Sequence, residues 1–395
     1  MKVILEFKSP LLIGGKKNTS NFINTDDVIK GSVIRAAFAK VILNNCPFRN
    51  EKIDGKVNWI QYREDKCSSK CEFKNICKKF SDIHFSYFYP EGSEVVPLTA
   101  KLCKTDKKHG YIDCLIDDDK CKKCKGDEDG RTEFKTGLRT VEKNKEQYKV
   151  EKTVCIKTSI NPYTRTSSDG MLYSVETITA TGKNDLGEKI CIYEGDIENL
   201  TKDELDLFKR LRVGGDTTVG LGKCELKVDN SNKTLDIDMD DFCKRYISKN
   251  HIKNKDKNEY AAIKFIGDLK VDFKGAEQRL RNKKIIDDDY ITTDEYKKIW
   301  EEALGVYDNL EVNIDRIYTD FINYRGYDTF KGNNKRSNAY VMATKGTVIV
   351  FKGKNIKEFL EKHTSKADDS KKGVKMSFGY DTEVGFGNYV LYDGR

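Results

Sequence analysis

A nine-residue motif occurs twice in this chain, once after the midpoint and once at the end. The first copy runs from Gly214 to Gly222 and the second from Gly379 to Gly387, and both follow the pattern G-x-D-T-x-V-G-[LF]-G. Short apolar stretches flank each copy, which predicts a glycine-rich turn leading into a final β-strand. One copy alone would indicate a tight turn and nothing more. Because each copy closes one half of the chain, the pair indicates two duplicated modules.

The apolar pattern predicts the elements of the first module. Residues 2–7 alternate as in a strand, and a helix is expected from Ser32, its N-cap, to about residue 43. Two strands should flank a polar hairpin tip at 161–170, and a second helix is expected over 201–211, capped by Thr201. The first glycine turn and a strand then complete the module.

The second half repeats this order. Its expected strands and helices lie at 261–266, 293–305, 347–351 and 355–363. The repeated order of strand, helix, hairpin, helix, glycine turn and strand predicts an α+β class with two ferredoxin-like, RRM-like modules. We place these modules at 1–229 and 260–395, joined by a linker at 230–259 that contains a short helix at 239–249.

Composition limits the class of protein. The 395 residues contain 72 Lys and Arg against 64 Asp and Glu, a net charge of +8. This balance suits a polyanionic partner, and it equally suits a soluble lysine-rich protein without one. No run approaches the 18 or so apolar residues of a membrane span, and the N-terminus lacks a signal-peptide core, so a cytoplasmic protein is expected.

Twelve cysteines in such a protein predict metal ligands rather than disulfides. Two groups lie in a segment at 44–135, which we interpret as an insertion into the first module. One group pairs Cys121-x2-Cys124 with Cys103 and with either His109 or Cys114; the other contains Cys46, Cys67, Cys71 and Cys77. Ligand sets rich in Cys are typical of structural zinc, so one or two structural zinc ions are expected, and unrelated free thiols are the alternative.

Four features, which include the two glycine turns, occur along the chain, and the second glycine turn comes last among them. They are P-L-L-I-G-G at 10–15 followed by I-K-G-S-V-I-R-A-A at 29–37, T-R-T-S-S-D-G-M-L-Y-S-V-E at 164–176, the two glycine turns, and Y-R-G-Y at 324–327 followed by A-T-K-G-T-V-I-V-F at 343–351. In this order they resemble the RAMP proteins of CRISPR type III effector complexes. The layout and the cysteine-bearing insertion most resemble the large Cas-five-group subunit of type III-D complexes.

The resemblance implies a non-catalytic subunit that grips the 5′ handle of CRISPR RNA and anchors a complex used in antiviral defence. Its implied partners are the large polymerase-like Cas subunit, the backbone RAMP subunits and, indirectly, target RNA. Loop amides, helix ends and basic side chains position phosphates in such proteins, and aromatic side chains stack on bases. The RNA-contacting residues expected on this basis are Lys30, Ser32, Arg35, Arg165, Arg212, Gly214, Gly215, Lys223, Arg325, Tyr327, Arg336, Gly385 and Gly387.

Two alternatives stay open at this stage. One is a RAMP endoribonuclease that processes the precursor or cuts target RNA, for which His84, Asp26 and Asp27 are the residues to weigh. The other is a zinc-containing nucleic-acid protein unrelated to CRISPR. Of the four histidines, His109 is a candidate ligand of the group that contains Cys103, Cys121 and Cys124, and His84 lies between apolar neighbours.

Overall fold

A computed structural model describes most of the chain. The described residues are 1–19, 21–51, 60–64, 66, 67, 70–124, 130–141, 145–184, 186–229, 238–254, 257–286, 290–307, 312–328, 335, 336, 338–356, 358–360 and 376–395.

The strands and helices alternate in the manner of a mixed α+β protein. The strands are β1 (Lys2–Phe7), β2 (Gly14–Thr19), β3 (Phe22–Thr25), β4 (His84–Phe85), β5 (Tyr89–Pro90), β6 (Ser93–Val95), β7 (Ala100–Cys103), β8 (Tyr111–Asp113), β9 (Thr132–Phe134), β10 (Leu138–Thr140), β11 (Gln147–Tyr148), β12 (Glu151–Ile160), β13 (Ser167–Ala180), β14 (Gly182–Lys183), β15 (Lys189–Ile190), β16 (Ile192–Glu198), β17 (Arg210–Arg212), β18 (Lys223–Asp229), β19 (Glu259–Phe265), β20 (Val312–Tyr318), β21 (Phe321–Tyr324), β22 (Tyr327–Asp328), β23 (Lys335–Arg336), β24 (Tyr340–Ala343), β25 (Val348–Gly353), β26 (Met376–Ser377) and β27 (Asn388–Tyr392). The helices are α1 (Gly31–Asn45), α2 (Lys74–Lys78), α3 (Lys202–Asp206), α4 (Met239–Lys249), α5 (Phe273–Asn282) and α6 (Thr293–Leu304).

The chain divides into two compact units that interleave in sequence. The first comprises 1–93, 149–231 and 326–337, and the second comprises 94–148, 232–325 and 338–395. The predicted module boundaries at 229 and 260 assume that each module is one continuous stretch of sequence. They therefore stay a prediction about the duplicated modules and do not describe these interleaved units.

The first unit is built on an antiparallel sheet in the order β17-β18-β1-β16-β4. Strand β1 pairs with β16 on one side and with β18 on the other. Its alternating residues Val3 and Leu5 point to the same face of the sheet and are fully buried there. Helix α1 covers that face, and the ring of its Phe38 stacks on Phe208 at 4.2 Å.

The second unit has a sheet of the same design, in the order β26-β27-β19-β25-β20. Its central strand β19 is antiparallel to both β25 and β27. Helix α6 packs on this sheet through the fully buried Trp300. In both units, therefore, the strand that follows a glycine motif lies next to the first strand of its sheet.

Each unit also carries an extended hairpin inserted before the third strand of its sheet. In the first unit β12 pairs with β13, and β13 continues the pairing to β3. In the second unit β21 pairs with β24. These hairpins place polar and aromatic residues beside the glycine motifs.

Residues 94–148 are held in the second unit by buried charges. Glu94 accepts hydrogen bonds from Lys264 at 2.6 Å and from the nearly buried Arg139 at 2.8 Å. Burial alone would raise the pKa of Glu94, but Lys264, Arg139 and Lys145 lower it to about 2. Asp113 accepts a further hydrogen bond from the hydroxyl of Tyr392.

Several expected elements differ at their ends. Helix α1 begins at Gly31 with Lys30 as its N-cap, so the expected Ser32 cap is wrong. Thr201 does cap α3 through a capping box with Glu204, but the helix stops at Asp206 because the chain turns into β17.

The helix expected at 239–249 is confirmed as α4. Its Phe242 and Tyr246 pack against Tyr260 of β19, so this part of the expected linker belongs to a hydrophobic core. The helix expected at 355–363 is partly described: residues 356 and 358–360 are helical, residue 355 is in a bend, and 357 and 361–363 lie outside the described residues. No helix in the described part of the chain combines the length and the apolar content needed to cross a membrane.

Candidate metal centre and nucleic-acid surface

Four side chains in the second unit converge to form a candidate metal centre, which consists of Cys103, His109, Cys121 and Cys124. Their ligand atoms all lie within 4.8 Å of one another. His109 Nδ1 is 3.6–3.7 Å from the three sulfurs, and the sulfurs of Cys103 and Cys124 are 3.5 Å apart. Ligands of tetrahedral zinc, at about 2.3 Å for sulfur and about 2.0 Å for nitrogen, lie roughly 3.5–3.8 Å from each other. The arrangement therefore fits zinc.

Local backbone structure positions these ligands. Cys103 ends β7, and His109 ends a short 3₁₀ turn whose N-cap, Asp106, accepts a hydrogen bond from the Lys108 amide at 2.9 Å. The Cys121 amide donates to the carbonyl of Gly130 at 2.9 Å. A side chain at Gly130 would place its Cβ 2.9 Å from the Cys121 carbonyl, so only glycine allows this close approach.

The ligand chemistry suits a closed structural site. Burial alone would raise the pKa of the Cys103 thiol, but hydrogen bonds from the Asp106 backbone, His109 and Cys124 lower it to about 6. The second ring nitrogen of His109 lies 3.8 Å from the Asp106 carboxylate, the usual type of outer partner for a metal-bound imidazole. Cys103 and Cys121 are buried. Of the two expected alternatives, His109 and not Cys114 belongs to the converging set.

The two glycine motifs form two loops with the same backbone. We call Gly214–Gly222 the first glycine loop and Gly379–Gly387 the second. Positive φ angles occur at the same four motif positions: Gly214, Asp216, Gly220 and Gly222 at 92°, 52°, 101° and 69°, and Gly379, Asp381, Gly385 and Gly387 at 87°, 57°, 80° and 66°. Each loop contains a 3₁₀ turn over its Thr-x-Val segment.

The loops also form the same hydrogen bonds to their own units. The amide after the first glycine donates to the carbonyl of Leu12 at 2.8 Å in the first loop and of Lys270 at 2.9 Å in the second. A Cβ on Gly214 would lie 2.2 Å from that Leu12 oxygen, and one on Gly379 would lie 2.3 Å from the Lys270 oxygen. These glycines are therefore required by the packing of the loop against the chain itself.

The loops differ in exposure. Val219 of the first loop is 67% exposed and Gly220 beside it is exposed, whereas the matching Val384 is 9% exposed and Gly385 is buried. In the second unit Tyr324 of β21 packs edge-on against Phe386, with ring centres 5.8 Å apart. Only the first loop thus offers its distal side to solvent.

Three cations surround the first loop. Arg212 donates to the carbonyl of Thr217 at 3.0 Å, and Lys40 of α1 donates to the Thr217 hydroxyl at 3.0 Å. Lys157 of β12 forms an ion pair with Asp216. Sequence reasoning found Arg212 but missed Lys40 and Lys157, because only the fold brings α1 and β12 to the loop. Lys223, also expected, is exposed at the start of β18.

The other expected residues of the first unit lie apart from these contacts. Lys30 and Ser32 are half-buried at the start of α1, about 15 Å along the helix from Lys40 at 1.5 Å per residue. Arg35 lies over the Phe80 ring at 5.2 Å and donates to the Phe80 carbonyl at 3.4 Å. Its guanidinium therefore contributes to packing inside the unit.

Arg165 lies at the exposed tip of the β12–β13 hairpin with a positive φ of 55°. Asn161 fixes this tip by accepting hydrogen bonds from the amides of Tyr163 at 2.9 Å and Arg165 at 2.8 Å. Tyr163 is 95% exposed, and it is an aromatic residue that the sequence analysis did not select. The tip therefore presents a ring and a guanidinium on an ordered turn.

In the second unit the expected residues have different settings. Gly385 and Gly387 are buried, whereas Arg325 is exposed. Tyr327 and Arg336, although they come from the second half of the sequence, belong to the first unit, where they are opposite each other in the β22–β23 register; their side chains lie outside what the structure describes.

Two exposed tyrosines lie at the edge of the second loop. Lys270 lies over the Tyr340 ring at 4.4 Å and pairs with Asp381. Tyr380 is 57% exposed beside it. An aromatic and basic edge is thus present in the second unit although the distal side of its loop is covered.

Of the groups weighed for nuclease chemistry, Asp27 is engaged in an ion pair. Asp27 forms an ion pair with Lys152 at 2.8 Å, and Glu176 lies 3.3 Å from the same ammonium. Burial alone would lower the pKa of Lys152, but these two carboxylates raise it above its ordinary value. His84 is half-buried in β4, opposite Glu198.

Comparison with known proteins gives a family and several solved structures. The model of the RAMP superfamily matches residues 4–225. No curated protein matches the chain. A chain from a cryo-EM structure of the type III-B Cmr-beta complex bound to cognate target RNA and AMPPnP is 12% identical, with a TM-score of 0.44, over 93% of this chain and 90% of that one. A chain from the same complex bound to cognate target RNA is 11% identical, with a TM-score of 0.40, over 92% and 89%.

Proposed function

Because the chain belongs to the RAMP superfamily, we propose that it is a non-catalytic RNA-binding subunit of a type III CRISPR effector complex. In this role it grips the 5′ handle of CRISPR RNA and contacts the large polymerase-like subunit, the backbone RAMP subunits and, indirectly, target RNA. The Cas-five-group subunit of type III-D complexes remains the proposed subtype, and each unit is proposed to contain one ferredoxin-like module.

The observation that carries the proposal is the exposed side of the first glycine loop with its three surrounding cations. Lys40, Lys157 and Arg212 come from three different elements and meet at one loop. Phosphate contacts from basic side chains and backbone amides dominate the affinity of RNA-binding proteins. The path proposed for the RNA backbone therefore follows Thr218–Gly220 rather than the start of α1.

Aromatic side chains would supply the stacking part of recognition. Tyr163 at the hairpin tip and Tyr380 at the second loop are both highly exposed, and each has a basic neighbour in its unit, Arg165 and Lys270. Unpaired bases stack on such rings with roughly 1–3 kcal/mol each. We assign the rings of Tyr163 and Tyr380 to stacking on bases of the handle rather than to contacts with the phosphate backbone.

The metal centre has a structural role in this proposal. Cys103, His109, Cys121 and Cys124 would hold zinc in a closed set of four ligands, which leaves no position for a reactive water. The ion would hold the loop that follows β8 in its folded form. The pairing of Asp27 with Lys152 likewise favours binding over RNA cleavage.

A titration with two RNAs tests the binding role. Wild type and Lys40→Ala/Arg212→Ala should be titrated at one fixed salt concentration with handle-bearing CRISPR RNA and with an RNA of equal length that lacks the handle. Loss of two charged hydrogen-bonding groups, worth roughly 1.5–3 kcal/mol each, should weaken handle binding at least about tenfold. Lys183→Ala/Lys189→Ala, two lysines of the β14–β15 hairpin, is the charge-matched control and should change little.

Equal losses for the two RNAs would indicate nonspecific charge, and no loss would place the site elsewhere. The nuclease alternative is tested in the same samples, because labelled precursor and target RNA should remain intact with Mg²⁺. Cleavage that disappears in Asp27→Asn would favour that alternative.

A further inference from the structure

The two glycine loops differ in one hydrogen bond of their 3₁₀ turns. In the second loop the Gly385 amide donates to the carbonyl of Thr382 at 3.0 Å, as the last amide of such a turn normally does. In the first loop the matching carbonyl, that of Thr217, accepts from the guanidinium of Arg212 at 3.0 Å. Among the described residues the Gly220 amide then has no well-formed hydrogen bond. A donor that is bonded in the second loop is therefore available in the first.

This available amide lies at the surface beside other donors. Thr218, Val219 and Gly220 are all exposed, and no atom lies within 4 Å of the position that a Cβ on Gly220 would take. Arg212 is exposed as well, and its guanidinium has several N–H groups, of which the bond to Thr217 uses one. An amide, a hydroxyl and a guanidinium are thus accessible at one turn.

The sequences of the loops differ at the positions that matter for an anion. Counted from the first glycine of each motif, the corresponding pairs are Arg212 and Ser377, Thr218 and Glu383, and Lys223 and Asn388. The strand register agrees, because Arg212 is opposite Lys223 just as Ser377 is opposite Asn388. The first loop therefore has two cations where the second has neutral residues, and a hydroxyl where the second has a carboxylate. At these positions only the first loop attracts a negative charge.

A phosphate oxygen matches this set of donors. Backbone amides, hydroxyls and arginine are the groups that contact phosphates in complexes with nucleic acids. Turns that contain left-handed residues form concavities whose amides bind anions, and the turn of the first loop lies between Asp216 and Gly220, with φ angles of 52° and 101°. Lys40 adds a positive charge 3.0 Å from the Thr217 hydroxyl. Asp216, the acidic residue of the loop, is already paired with Lys157.

We propose that the first glycine loop binds one phosphate group through the Gly220 amide and the Thr218 hydroxyl, and that Arg212 makes this possible by occupying the Thr217 carbonyl. Arg212 is thus a positioning residue as well as a source of charge. The second loop, whose amide is bonded and whose matching residue is Glu383, does not bind phosphate in this way. The inference rests on the proposed RNA-binding function and names the chemical group of the RNA that the loop recognises.

Hydrogen exchange of glycine amides tests the role of Arg212. Full-length protein labelled with ¹⁵N-glycine should be followed by NMR in deuterated buffer. In Arg212→Ala the Thr217 carbonyl is released, so the Gly220 amide should bond to it and exchange about tenfold more slowly than in wild type. Arg212→Lys, which keeps a donor, should restore fast exchange. The Gly385 amide is the internal control and should exchange slowly in all three proteins.

Slow exchange of Gly220 in the wild type, or the same rate in wild type and Arg212→Ala, would overturn the positioning role. The wild-type measurement decides this point even where the variant does not fold.

A second measurement identifies the bound group. Handle-bearing CRISPR RNA should slow exchange of the Gly220 amide, whereas the same RNA with uncharged methylphosphonate linkages should not. Thr218→Val, which has nearly the same shape without the hydroxyl, should weaken binding of the charged RNA about tenfold, and Thr218→Ser should restore it. Glu383→Thr, at the matching position of the second loop, is the control and should leave the affinity unchanged.

Failure of this site and failure of the proposed function give different results. Equal slowing of Gly220 by handle-bearing RNA and by an RNA of equal length without the handle would support the phosphate site and contradict handle recognition. Specific handle binding that leaves Gly220 exchange unchanged and tolerates Thr218→Val would support the RNA-binding function and overturn the phosphate site.

Discussion

The distal side of the first glycine loop is open to solvent, and the same side of the second loop is covered. Both loops share four positive φ angles and the same backbone hydrogen bonds to the rest of their units, so the motif fixes one conformation twice. One difference between them is a neighbour: Tyr324 packs edge-on against Phe386 of the second loop, whereas the first loop has the aliphatic Leu221 at the matching position. The two loops thus share one backbone conformation, but Val219 of the first is exposed and Val384 of the second is buried.

The largest loss of stability is expected when the last glycine of either loop, Gly222 or Gly387, is replaced. Gly222→Ala would place a Cβ 1.8 Å from the Val213 carbonyl, and Gly387→Ala would place one 1.8 Å from the Phe378 carbonyl, both at positive φ. Each change should cost about 3 kcal/mol or more of unfolding free energy, because strain and a backbone clash add. Thermal unfolding followed by circular dichroism checks this. A large loss in one variant alone would break the structural equivalence of the loops.

A negative charge added at the matching valine of each loop should affect RNA binding at the first loop and stability at the second. Val219→Glu should weaken handle RNA binding about tenfold, roughly 1.4 kcal/mol, because an exposed carboxylate would repel phosphate without disturbing the fold. Val219→Gln, of the same shape without the charge, is the matched control and should bind nearly as wild type.

The same substitution in the second loop should lower the stability of the protein rather than its affinity for RNA. Val384 is buried, so Val384→Glu should lower the thermal midpoint by forcing a carboxylate into an apolar setting. Unchanged stability in Val384→Glu, or unchanged RNA affinity in Val219→Glu, would contradict the proposed division of roles.

A smaller cost is expected at the glycine that has room. Gly220 has a φ of 101°, and no atom lies within 4 Å of the position that a Cβ would take there. Gly220→Ala should therefore lose only the backbone preference, about 1–2 kcal/mol. Comparison with Gly222→Ala in chemical denaturation separates strain from clash inside one loop, and equal losses would show that the clash does not matter.

The smallest effect should come from the ring that covers the second loop. Phe386→Leu gives this loop the residue found at position 221, and it should cost about 1 kcal/mol through loss of the aromatic pair with Tyr324. RNA affinity should stay as in wild type. Leu221→Phe is the reverse control, and weaker RNA binding in Phe386→Leu would show that the second loop participates in recognition.

The duplicated motif, its turn conformation and the strand that follows it could all be predicted, because Gly and Asp at fixed spacing determine local backbone angles. The candidate ligands Cys121 and Cys124 could also be predicted, because CxxC spacing is a local signal, and Cys103 lies upstream of them in the same sequence group. The exposure of the valine side chain in each loop could not be predicted. Val219 and Val384 are the same residue at the same motif position, yet only Val219 is exposed. Packing between elements distant in sequence decides it.

Packing between distant elements also explains why the basic residues around the first loop and the extent of the two units could not be predicted. Lys40 lies 177 residues from Thr217, to which it donates, so no local pattern marks it as part of the loop surface. The placement of residues 94–148 in the second unit depends on Glu94 and Lys264, which are 170 residues apart. Such pairings depend on the complete fold rather than on propensity.

The interleaving of the units has a consequence for synthesis on the ribosome. Residues 94–148 emerge early, yet Glu94 meets Lys264 only after 170 further residues have been made, and Asp113 meets Tyr392 279 residues later. Within the segment Glu94 can already pair with Arg139 and Lys145, but its pairing with Lys264 must wait while translation continues. Loss of the residues from Tyr392 onward would leave Asp113 without the hydroxyl that donates to it and would shorten the strand beside β19. A chain that stops before residue 392 would therefore still lack a buried partner of its early segment.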